Sequence, residues 1–512
     1  MTDAAPRAVP RNAVVVLLDS LNRHLLGAYG STEFDTPTLD AFATTAVRFD
    51  GHVSGSLPCM PARHDLLCGA LDFLWKPWGS IELWERPITA DLHHAGVTTM
   101  LVSDHPHLFE AGGENYHTDF TAWDYVRGHE GDPWRTRPDP TWAGTPALPA
   151  APSPMLVRPY DTTRTWFRAE DDFPGPRTMR TAAEWLDTNA GHHDRFLLFI
   201  DEFDPHEPFD TPEPWAGRYD ADWDEPLLIW PPYVRGAIEK GVLTERQARQ
   251  LRANYGAKLS MIDHHLGRVL DAVDRNGLAD DTVVIVCTDH GHYLGEKDIW
   301  GKPAVPIYEP LGHTPLLVRW PGIAPGARDA LTTNVDIHAT LCDLFGVTPE
   351  HRTHGRSLLP LLTGEVGSIR EHALAGIWSR EVHVLDGHTK YARAPIDDNA
   401  PLSLWSNRWS TMPVHGFPDY RLPNPDRRAW LDFMPGSEVP VIRQPFGPGD
   451  GNAFFPSKAR FSGHHLYDLD DDPHEDWNLV GTAAEADAAE RLRVALLEVD
   501  APAEQLVRLG LA

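Results

Sequence analysis

Cysteine and basic residues are the two things that this 512-residue chain has little of. Only 4 cysteines are present, too few for a small disulfide-built protein or for a cysteine-rich zinc array. Lys and Arg number 45 against 74 Asp and Glu, which leaves a formal charge of -29 at pH 7. This charge repels the phosphates of nucleic acid and an anionic membrane surface. We therefore expect neither nucleic acid nor a membrane as a partner, and no pattern in the sequence specifies an oligomeric state.

Long apolar runs are absent as well. No stretch is long enough to span a bilayer, and the first apolar run, at residues 13–18, is too short for the core of a signal peptide. Without an export signal, cysteines in no paired pattern favour a reducing compartment. We therefore predict a cytoplasmic protein. Its cysteines are Cys59, Cys68, Cys287 and Cys342.

The composition is that of a globular protein, with 42% apolar and 23% charged residues. Three short apolar runs, at residues 14–18, 196–200 and 283–287, predict buried strands. Each run leads directly into acidic or polar residues, which are Asp19, residues 201–206, and Asp289 with His290. In open α/β sheets, ligands bind at the carboxyl ends of parallel strands. These residues are therefore candidates for a site at one sheet edge.

Helix signals and proline clusters divide the rest of the chain. Residues 244–247 form a capping box, and apolar residues then recur at helical spacing as far as Gly277, which predicts a long helix crossing over the sheet. A second helix is predicted over residues 179–186. The density of proline between residues 131 and 160 predicts a surface excursion without regular structure.

The pattern changes near Gly364. Short strands are predicted at residues 373–377, 381–385 and 389–393, followed by a long irregular insert rich in Pro and Trp from residue 401 to 456. We predict an α/β domain over residues 1–370, in which helices cover both faces of a mixed sheet. A smaller C-terminal α+β domain with an antiparallel sheet is predicted over residues 371–512.

A metal site is the first functional hypothesis. Asp19, Asp289 and His290 are hard or borderline ligands at two predicted strand ends, so they could converge on one divalent cation. Asp19 by itself is also what a helix N-cap or a turn would use. The run Asp-His-Gly-His that ends at His292 is uncommon as turn chemistry, which makes His292 a further, weaker site candidate.

The segment around Cys59 is the most specific pattern. Pro61 is predicted in the first turn of a helix, which places Cys59 near the positive end of the helix dipole, where developing negative charge is stabilised. A lone Cys is more often a small buried apolar residue. Here Cys59 is followed by Pro61 and Arg63, and this complete pattern favours a functional cysteine.

The chain resembles the type I sulfatases of the alkaline phosphatase superfamily. In that family a Cys-x-Pro-x-Arg motif marks a cysteine that is oxidised after synthesis to formylglycine, and Cys59, Pro61 and Arg63 match it. The resemblance runs through nearly the whole chain. Further matching segments are residues 19–30, 36–40, 66–69, 205–209, 289–291, 301–302, 314–322, 335–346, 355–360 and 466–479.

The resemblance implies hydrolysis of a sulfate ester of a sugar, aryl or alkyl alcohol. Cys59, after maturation by a formylglycine-generating enzyme, would be the nucleophile and would also contact the metal. Asp19, Asp289 and His290 would hold one divalent cation, Ca²⁺ by resemblance, with Mn²⁺ left open by the histidine ligand. The remaining implied roles are those of Arg63, which would steady the nucleophile, and of Lys302 and His206, which would bind the substrate and supply charge or a proton. Without the resemblance, His206 reads as a loop histidine and Lys302 as a surface charge.

Two departures from the family pattern bear on the site. Ser20 stands where a second metal-binding Asp is usual, and residues 103–108 lack the family's lysine. In that second segment His107, or less surely His105, would replace the family's catalytic histidine. The phosphonate monoester hydrolases, which use the same nucleophile on phosphonate monoesters and phosphate diesters, tolerate such changes and are the alternative. If Cys59 is never matured, a binding protein for anions remains a further alternative.

Overall fold

The structure is a computed structural model, and it describes residues 10–148, 154–396, 399–410, 426–447, 450 and 463–512. The strands are β1 (Asn12–Leu18), β2 (Val47–Val53), β3 (Thr98–Ser103), β4 (Ala122–Tyr125), β5 (Phe196–Glu202), β6 (Val234–Arg235), β7 (Thr282–Cys287), β8 (Tyr293–Leu294), β9 (Ile299–Gly301), β10 (Leu316–Arg319), β11 (Gly326–Thr333), β12 (Ala373–Gly376), β13 (Val382–Leu385), β14 (Thr389–Arg393), β15 (Leu402–Ser406), β16 (Trp430–Phe433), β17 (Pro440–Phe446) and β18 (His465–Asp468).

The α-helices are α1 (Pro37–Ala43), α2 (Cys59–Cys68), α3 (Ile88–His94), α4 (Pro154–Thr163), α5 (Pro174–Asn189), α6 (Glu245–Arg275), α7 (Glu309–Gly312), α8 (Asn334–Phe345), α9 (Leu359–Leu362), α10 (Ala484–Glu498) and α11 (Ala503–Arg508). In the part of the chain that the structure describes, none of the helices combines the length and the apolar character needed to cross a membrane.

An eight-stranded mixed sheet forms the centre of the molecule, in the order β11-β2-β10-β7-β1-β5-β3-β4. The strands β7, β1, β5 and β3 run parallel, whereas β10 is antiparallel to both of its neighbours, β7 and β2. Every residue of β1, β5 and β7 is buried, as expected for parallel strands that are covered on both faces. The predicted strands at residues 14–18, 196–200 and 283–287 are confirmed.

Helices cover both faces of this sheet. One face packs against α5 and α6 through residues such as Met179, Leu259 and Ile262. The other face packs against α2, α3 and α8 through residues such as Leu66 and Ile337. The predicted fold class, a mixed sheet between two helical layers with a smaller antiparallel region after it, is confirmed.

The helix α6 begins where the capping box predicts. Thr244 accepts a hydrogen bond from the backbone N–H of Gln247, whose side chain in turn accepts one from the backbone N–H of Thr244. The helix ends at Arg275, and Gly277 follows in the left-handed conformation. The predicted helix at residues 179–186 lies within α5, which is longer at both ends.

The C-terminal region contains a four-stranded antiparallel sheet in the order β12-β13-β14-β18, which confirms the three predicted strands. The expectation of an irregular insert from residue 401 to 456 is wrong for its described parts, because β15, β17 and β16 form a second antiparallel sheet. Residues 411–425 and most of residues 448–462 lie outside the described residues. A domain boundary near residue 370 stays a prediction.

The proline-rich excursion also contains a helix. Residues Pro154–Thr163 form α4, so the expectation that regular structure is excluded between residues 131 and 160 is wrong for its last part. Pro154 is the first residue of the helix, where a proline costs no hydrogen bond because the N–H would have no partner there. The helix continues past its internal Pro159.

Candidate active site

The carboxyl ends of three neighbouring strands build the floor of the site. In the register of the sheet, Leu17 of β1 lies opposite Asp201 of β5 and Cys287 of β7. Asp19 and Asp289 follow two residues after Leu17 and Cys287, and both are fully buried. The two aspartates predicted as metal ligands therefore meet with Asp201 at the same sheet edge.

Arg63 joins these three aspartates. Its guanidinium donates to Asp19 Oδ2 at 2.9 Å and to Asp289 Oδ2 at 2.8 Å. Towards Asp201 it makes a bidentate pair, with N···O distances of 2.8 and 2.7 Å. Only 1% of Arg63 is exposed, so these are charge-assisted hydrogen bonds in a dry environment. The predicted role of Arg63 at the site agrees with this position, but sequence reasoning missed Asp201 as its main partner.

Cys59 is the first residue of α2, and Pro61 lies in the first turn, as the sequence predicts. The Sγ of Cys59 lies 3.3 Å from Nε2 of His290. Burial raises the pKa of the Cys59 thiol well above its ordinary value, and the neighbouring Asp19 adds to this effect. The unmodified thiol is therefore a poor nucleophile in this position, because the thiolate is the reactive form.

The donor atoms of Asp19, Cys59, Asp289 and His290 fit a divalent cation. They lie within 4.8 Å of one another and all four residues are buried. The Nδ1–H of His290 donates to the carbonyl of Gly291 at 2.9 Å, which leaves the lone pair of Nε2 facing the other donors. At position 291 a Cβ would lie 2.0 Å from the carbonyl oxygen of Pro310, so this backbone approach requires glycine. Two carboxylates and one imidazole are a donor set that suits Ca²⁺ or Mn²⁺.

Ser20, in the place of the usual second acid, organises the donors through hydrogen bonds. Its backbone N–H donates to Asp289 Oδ1 at 3.0 Å, and its hydroxyl donates to Asp19 Oδ1 at 2.7 Å. Its φ of 61° is left-handed, a conformation that few residues other than glycine adopt. The ammonium of Lys302 donates to the same hydroxyl at 3.1 Å. Ser20 thus links both candidate ligands to the predicted substrate lysine.

The electrostatics of the floor favour ionised Asp19. Burial would raise the pKa of Asp19, but Arg63 and then His206, His105 and Lys302 outweigh it and hold the pKa well below its usual value. Burial would lower the pKa of Lys302, yet the neighbouring negative charges, among them those of Glu207 and Asp19, raise it. The site therefore keeps both carboxylate and ammonium charges in the neutral range.

His206 and His292 flank a buried carboxylate, Glu207. His206 donates through Nδ1 to the backbone carbonyl of Glu207 at 2.8 Å, and the same nitrogen lies 3.3 Å from Glu207 Oε2, so this hydrogen bond does not use Nε2. His292 Nε2 lies 3.1 Å from Glu207 Oε2, and the hydroxyl of Tyr233 donates to Oε1 of the same carboxylate. His206 thus lies beside the Lys302 and Asp19 charges, whereas His292 supports Glu207.

Of the two histidines proposed for the segment after β3, the structure places His105 at the metal donors. His105 is fully buried with Nε2 3.6 Å from Asp19 Oδ2. His107 lies further out, paired through Nδ1 with Glu110 and, at 3.2 Å, through Nε2 with Glu130. Burial would lower the pKa of His107, but these two glutamates raise it to about 10. The sequence favoured His107 for the catalytic role. In the structure His107 is ion-paired with Glu110 and Glu130 and does not contact the candidate metal donors.

Sequence reasoning also missed Glu130, Tyr233 and Glu207 as residues of the site. Glu130 follows β4 in a loop, and Tyr233 precedes the two-residue strand β6. Neither carries a local motif, and both reach the site only through tertiary packing. Glu207 lies inside the family-matching segment at residues 205–209, so its position next to His206 was the available signal.

Comparisons with known proteins agree with this architecture. A sequence model of the sulfatase family matches residues 11–347. The chain is 26% identical over 416 residues to a choline-sulfatase of Rhizobium meliloti (strain 1021), an alignment that covers 75% of this chain and 78% of the relative. It is 23% identical over 391 residues to an arylsulfatase of Clostridium perfringens (strain 13 / Type A), covering 70% and 80% of the two chains. The crystal structure of a phosphonate monoester hydrolase of Agrobacterium radiobacter has the same fold, with a TM-score of 0.64, 20% identity, and 96% and 95% of the two chains covered.

The mixed sheet between two helical layers, with Asp19 and Asp289 just beyond its strand ends, is an alkaline phosphatase-like fold, which the compared hydrolase shares. The region that the sulfatase family model matches is more than half of the chain. The chain belongs to the sulfatase family, and it is a sulfuric ester hydrolase.

Proposed function

We propose that the chain hydrolyses a sulfate monoester with a formylglycine formed from Cys59 and with one divalent cation. The observation that carries the proposal is the convergence of Cys59 with Asp19, Asp289 and His290, whose donor atoms lie within 4.8 Å of one another. Maturation of Cys59 would require a formylglycine-generating enzyme. The substrate would be a small sulfate ester of a sugar, aryl or alkyl alcohol.

The formylglycine and the divalent cation would supply the central chemistry. When matured, residue 59 would offer an aldehyde hydrate, one hydroxyl of which attacks sulfur while the other later expels sulfate. A cation held by Asp19, Asp289 and His290 would lower the pKa of that hydroxyl and neutralise sulfate oxygens. Ca²⁺ is the proposed ion, and Mn²⁺ also suits the histidine ligand.

The chain's other residues position the reacting groups and supply a proton to the leaving oxygen. The Asp201 carboxylate holds the Arg63 guanidinium against the donors, so Arg63 can stabilise negative charge on the nucleophile without reorganising. Lys302, tethered to Ser20, directs its ammonium at the transferred group. The Nδ1–H of His206 is engaged by a backbone carbonyl, so a proton on Nε2 is the one available to the leaving oxygen.

A phosphonate monoester or phosphate diester hydrolase is the second candidate. Two observations favour it: Ser20 removes one negative charge from the metal site, and the phosphonate monoester hydrolase of Agrobacterium radiobacter shares the fold over 96% of this chain. Turnover on an aryl sulfate, an aryl phosphonate monoester and an aryl phosphate diester separates the two. We expect the highest kcat/KM on the sulfate; a clear preference for either phosphorus ester would replace the sulfatase proposal.

We also infer a cytoplasmic location. What supports it is that Cys59, Cys68, Cys287 and Cys342 are all buried as free cysteines. Oxidising compartments favour disulfides instead. Fractionation of the native host tests this inference, and recovery of the protein outside the cytoplasm would contradict it.

A further inference from the structure

The turn that follows β1 is closed by a tyrosine hydroxyl from α6. The hydroxyl of Tyr255 donates to the backbone carbonyl of Ser20 and accepts a hydrogen bond from the backbone N–H of Asn22, both at 2.9 Å. All three residues are fully buried. A buried backbone group without a hydrogen-bond partner is costly, and this single hydroxyl satisfies two such groups. Tyr255 therefore fixes the backbone on both sides of Leu21.

The backbone of Ser20 has a conformation that a residue with a side chain seldom adopts. Its φ of 61° lies in the left-handed region, where the Cβ is crowded by the backbone. Such a conformation persists only where the surrounding structure fixes it. Ser20 is fixed by two backbone hydrogen bonds, from its N–H to Asp289 Oδ1 at 3.0 Å and from the Tyr255 hydroxyl to its carbonyl. Without that hydroxyl, Ser20 could relax towards an ordinary φ.

Ser20 in turn orients both aspartates that we propose as metal ligands. Its hydroxyl donates to Asp19 Oδ1 at 2.7 Å, and its backbone N–H is the group that contacts Asp289. Both hydrogen bonds would change if the backbone of Ser20 relaxed. Groups that hydrogen-bond to metal ligands fix the orientation of those ligands, and their loss weakens metal binding.

We propose that Tyr255 is a positioning residue of the metal site: it holds Ser20 in the left-handed conformation and thereby orients the two candidate metal aspartates. The ring of Tyr255 packs edge-on against Phe209, with centroids 5.4 Å apart. A phenylalanine would serve this packing equally well, so the hydroxyl has a separate role. This inference rests on the proposed function, because it takes Asp19 and Asp289 to be metal ligands.

The test compares Tyr255→Phe with Tyr219→Phe, since each variant loses one hydroxyl and keeps the ring. The hydroxyl of Tyr219 also makes two hydrogen bonds, with the backbone N–H of Asp35 at 2.8 Å and with the hydroxyl of Ser260, another residue of α6, at 2.7 Å. The matured enzyme is stripped of metal with a chelator and titrated calorimetrically with Ca²⁺, and with Mn²⁺ in a parallel experiment.

We expect Tyr255→Phe to raise the Kd for Ca²⁺ about tenfold, the lower end of the range for groups that orient metal ligands. Tyr219→Phe should change this Kd by less than about twofold, because its hydroxyl is not connected to Ser20. The activity of Tyr255→Phe should recover when excess metal is added. An unchanged Kd in Tyr255→Phe, or an equal increase in both variants, would overturn the proposal.

A double variant tests whether Tyr255 acts through Ser20. Glycine adopts a left-handed φ without steric cost, and Ser20→Gly also removes the hydroxyl that contacts Asp19. In the Ser20→Gly background, Tyr255→Phe should therefore raise the Kd for Ca²⁺ by less than about threefold, as expected for two changes in one hydrogen-bond network. The same increase with and without Ser20→Gly would mean that Tyr255 acts independently of Ser20, and the proposal would be wrong.

Hydrogen exchange separates failure of this inference from failure of the proposed function. In the metal-free protein, the N–H groups of Ser20 and Leu21 are bonded to Asp289 and to the hydroxyl of Thr288. Their exchange, followed by mass spectrometry, should be at least about tenfold faster in Tyr255→Phe because the turn relaxes. If the unchanged enzyme binds Ca²⁺ but this exchange is the same in both proteins, the proposed function stands and this inference alone fails. If the unchanged enzyme binds neither Ca²⁺ nor Mn²⁺, the proposed function fails, and Tyr255 has no metal site to position.

Discussion

The pairing of Arg63 with Asp201 gives a prediction whose size follows from burial. Asp201→Asn keeps the shape of the side chain but removes the negative charge of the bidentate pair. The Arg63 side chain is 1% exposed and that of Asp201 is 3% exposed. Breaking a buried ion pair by removing one partner costs about 3–5 kcal/mol. Arg63 also contacts Asp19 and Asp289, so we expect a value near the lower end, about 3 kcal/mol of unfolding free energy.

A matched control exists on the surface. Asp187 makes the same kind of bidentate pair with Arg275, at 2.8 and 2.6 Å, but these side chains are 38% and 46% exposed. Exposed ion pairs are worth less than about 1 kcal/mol. The free energy of unfolding of both Asn variants is measured by urea titration, with tryptophan fluorescence as the signal. If Asp201→Asn and Asp187→Asn lose stability equally, the argument that Arg63 depends on a desolvated pair is refuted.

Three further predictions concern the metal donors and the histidines. Asp289→Ala should lose bound metal and activity together, and full metal occupancy measured by plasma mass spectrometry would contradict the ligand set. His105→Asn should lower kcat more than His107→Asn, because only His105 lies within 3.6 Å of Asp19; the reverse order in steady-state kinetics would reject this placement. Glu110 and Glu130 raise the pKa of His107 from 6.5 to about 10, so its contribution to stability is complete below pH 6.5 and is lost as pH rises towards 10. His107→Gln should therefore show a smaller loss of stability across that range in urea titrations, and an unchanged pH dependence would argue against a charged His107.

The central strands and the long helix were predictable because their local signals agree with their tertiary setting. Strands β1, β5 and β7 are buried on both faces, so their sequences are continuous apolar runs that end in acids. The capping box of α6 acts through hydrogen bonds within one turn, so it needs no tertiary information. Hence Asp19 and Asp289 could be assigned to one sheet edge from sequence.

Other parts of the molecule depend on contacts that no local pattern reveals. In the second C-terminal sheet, Pro445 of β17 lies opposite Ser403 of β15, and prolines inside a strand normally argue against sheet structure. His105 and His107 are two residues apart, and only the path of the loop after β3 decides which one reaches Asp19. Asp201 is one of several acids in residues 201–206, and it is distinguished from them by its bidentate pair with Arg63, which belongs to another element.

The central claim is that residue 59 is a formylglycine. Peptide mass spectrometry across Cys59, in protein isolated from its native host, tests it most directly because the aldehyde is lighter than the thiol. We predict that the peptide containing Cys59 carries the aldehyde and that its abundance follows sulfatase activity between preparations. An active preparation in which this peptide contains only unmodified cysteine would contradict the account.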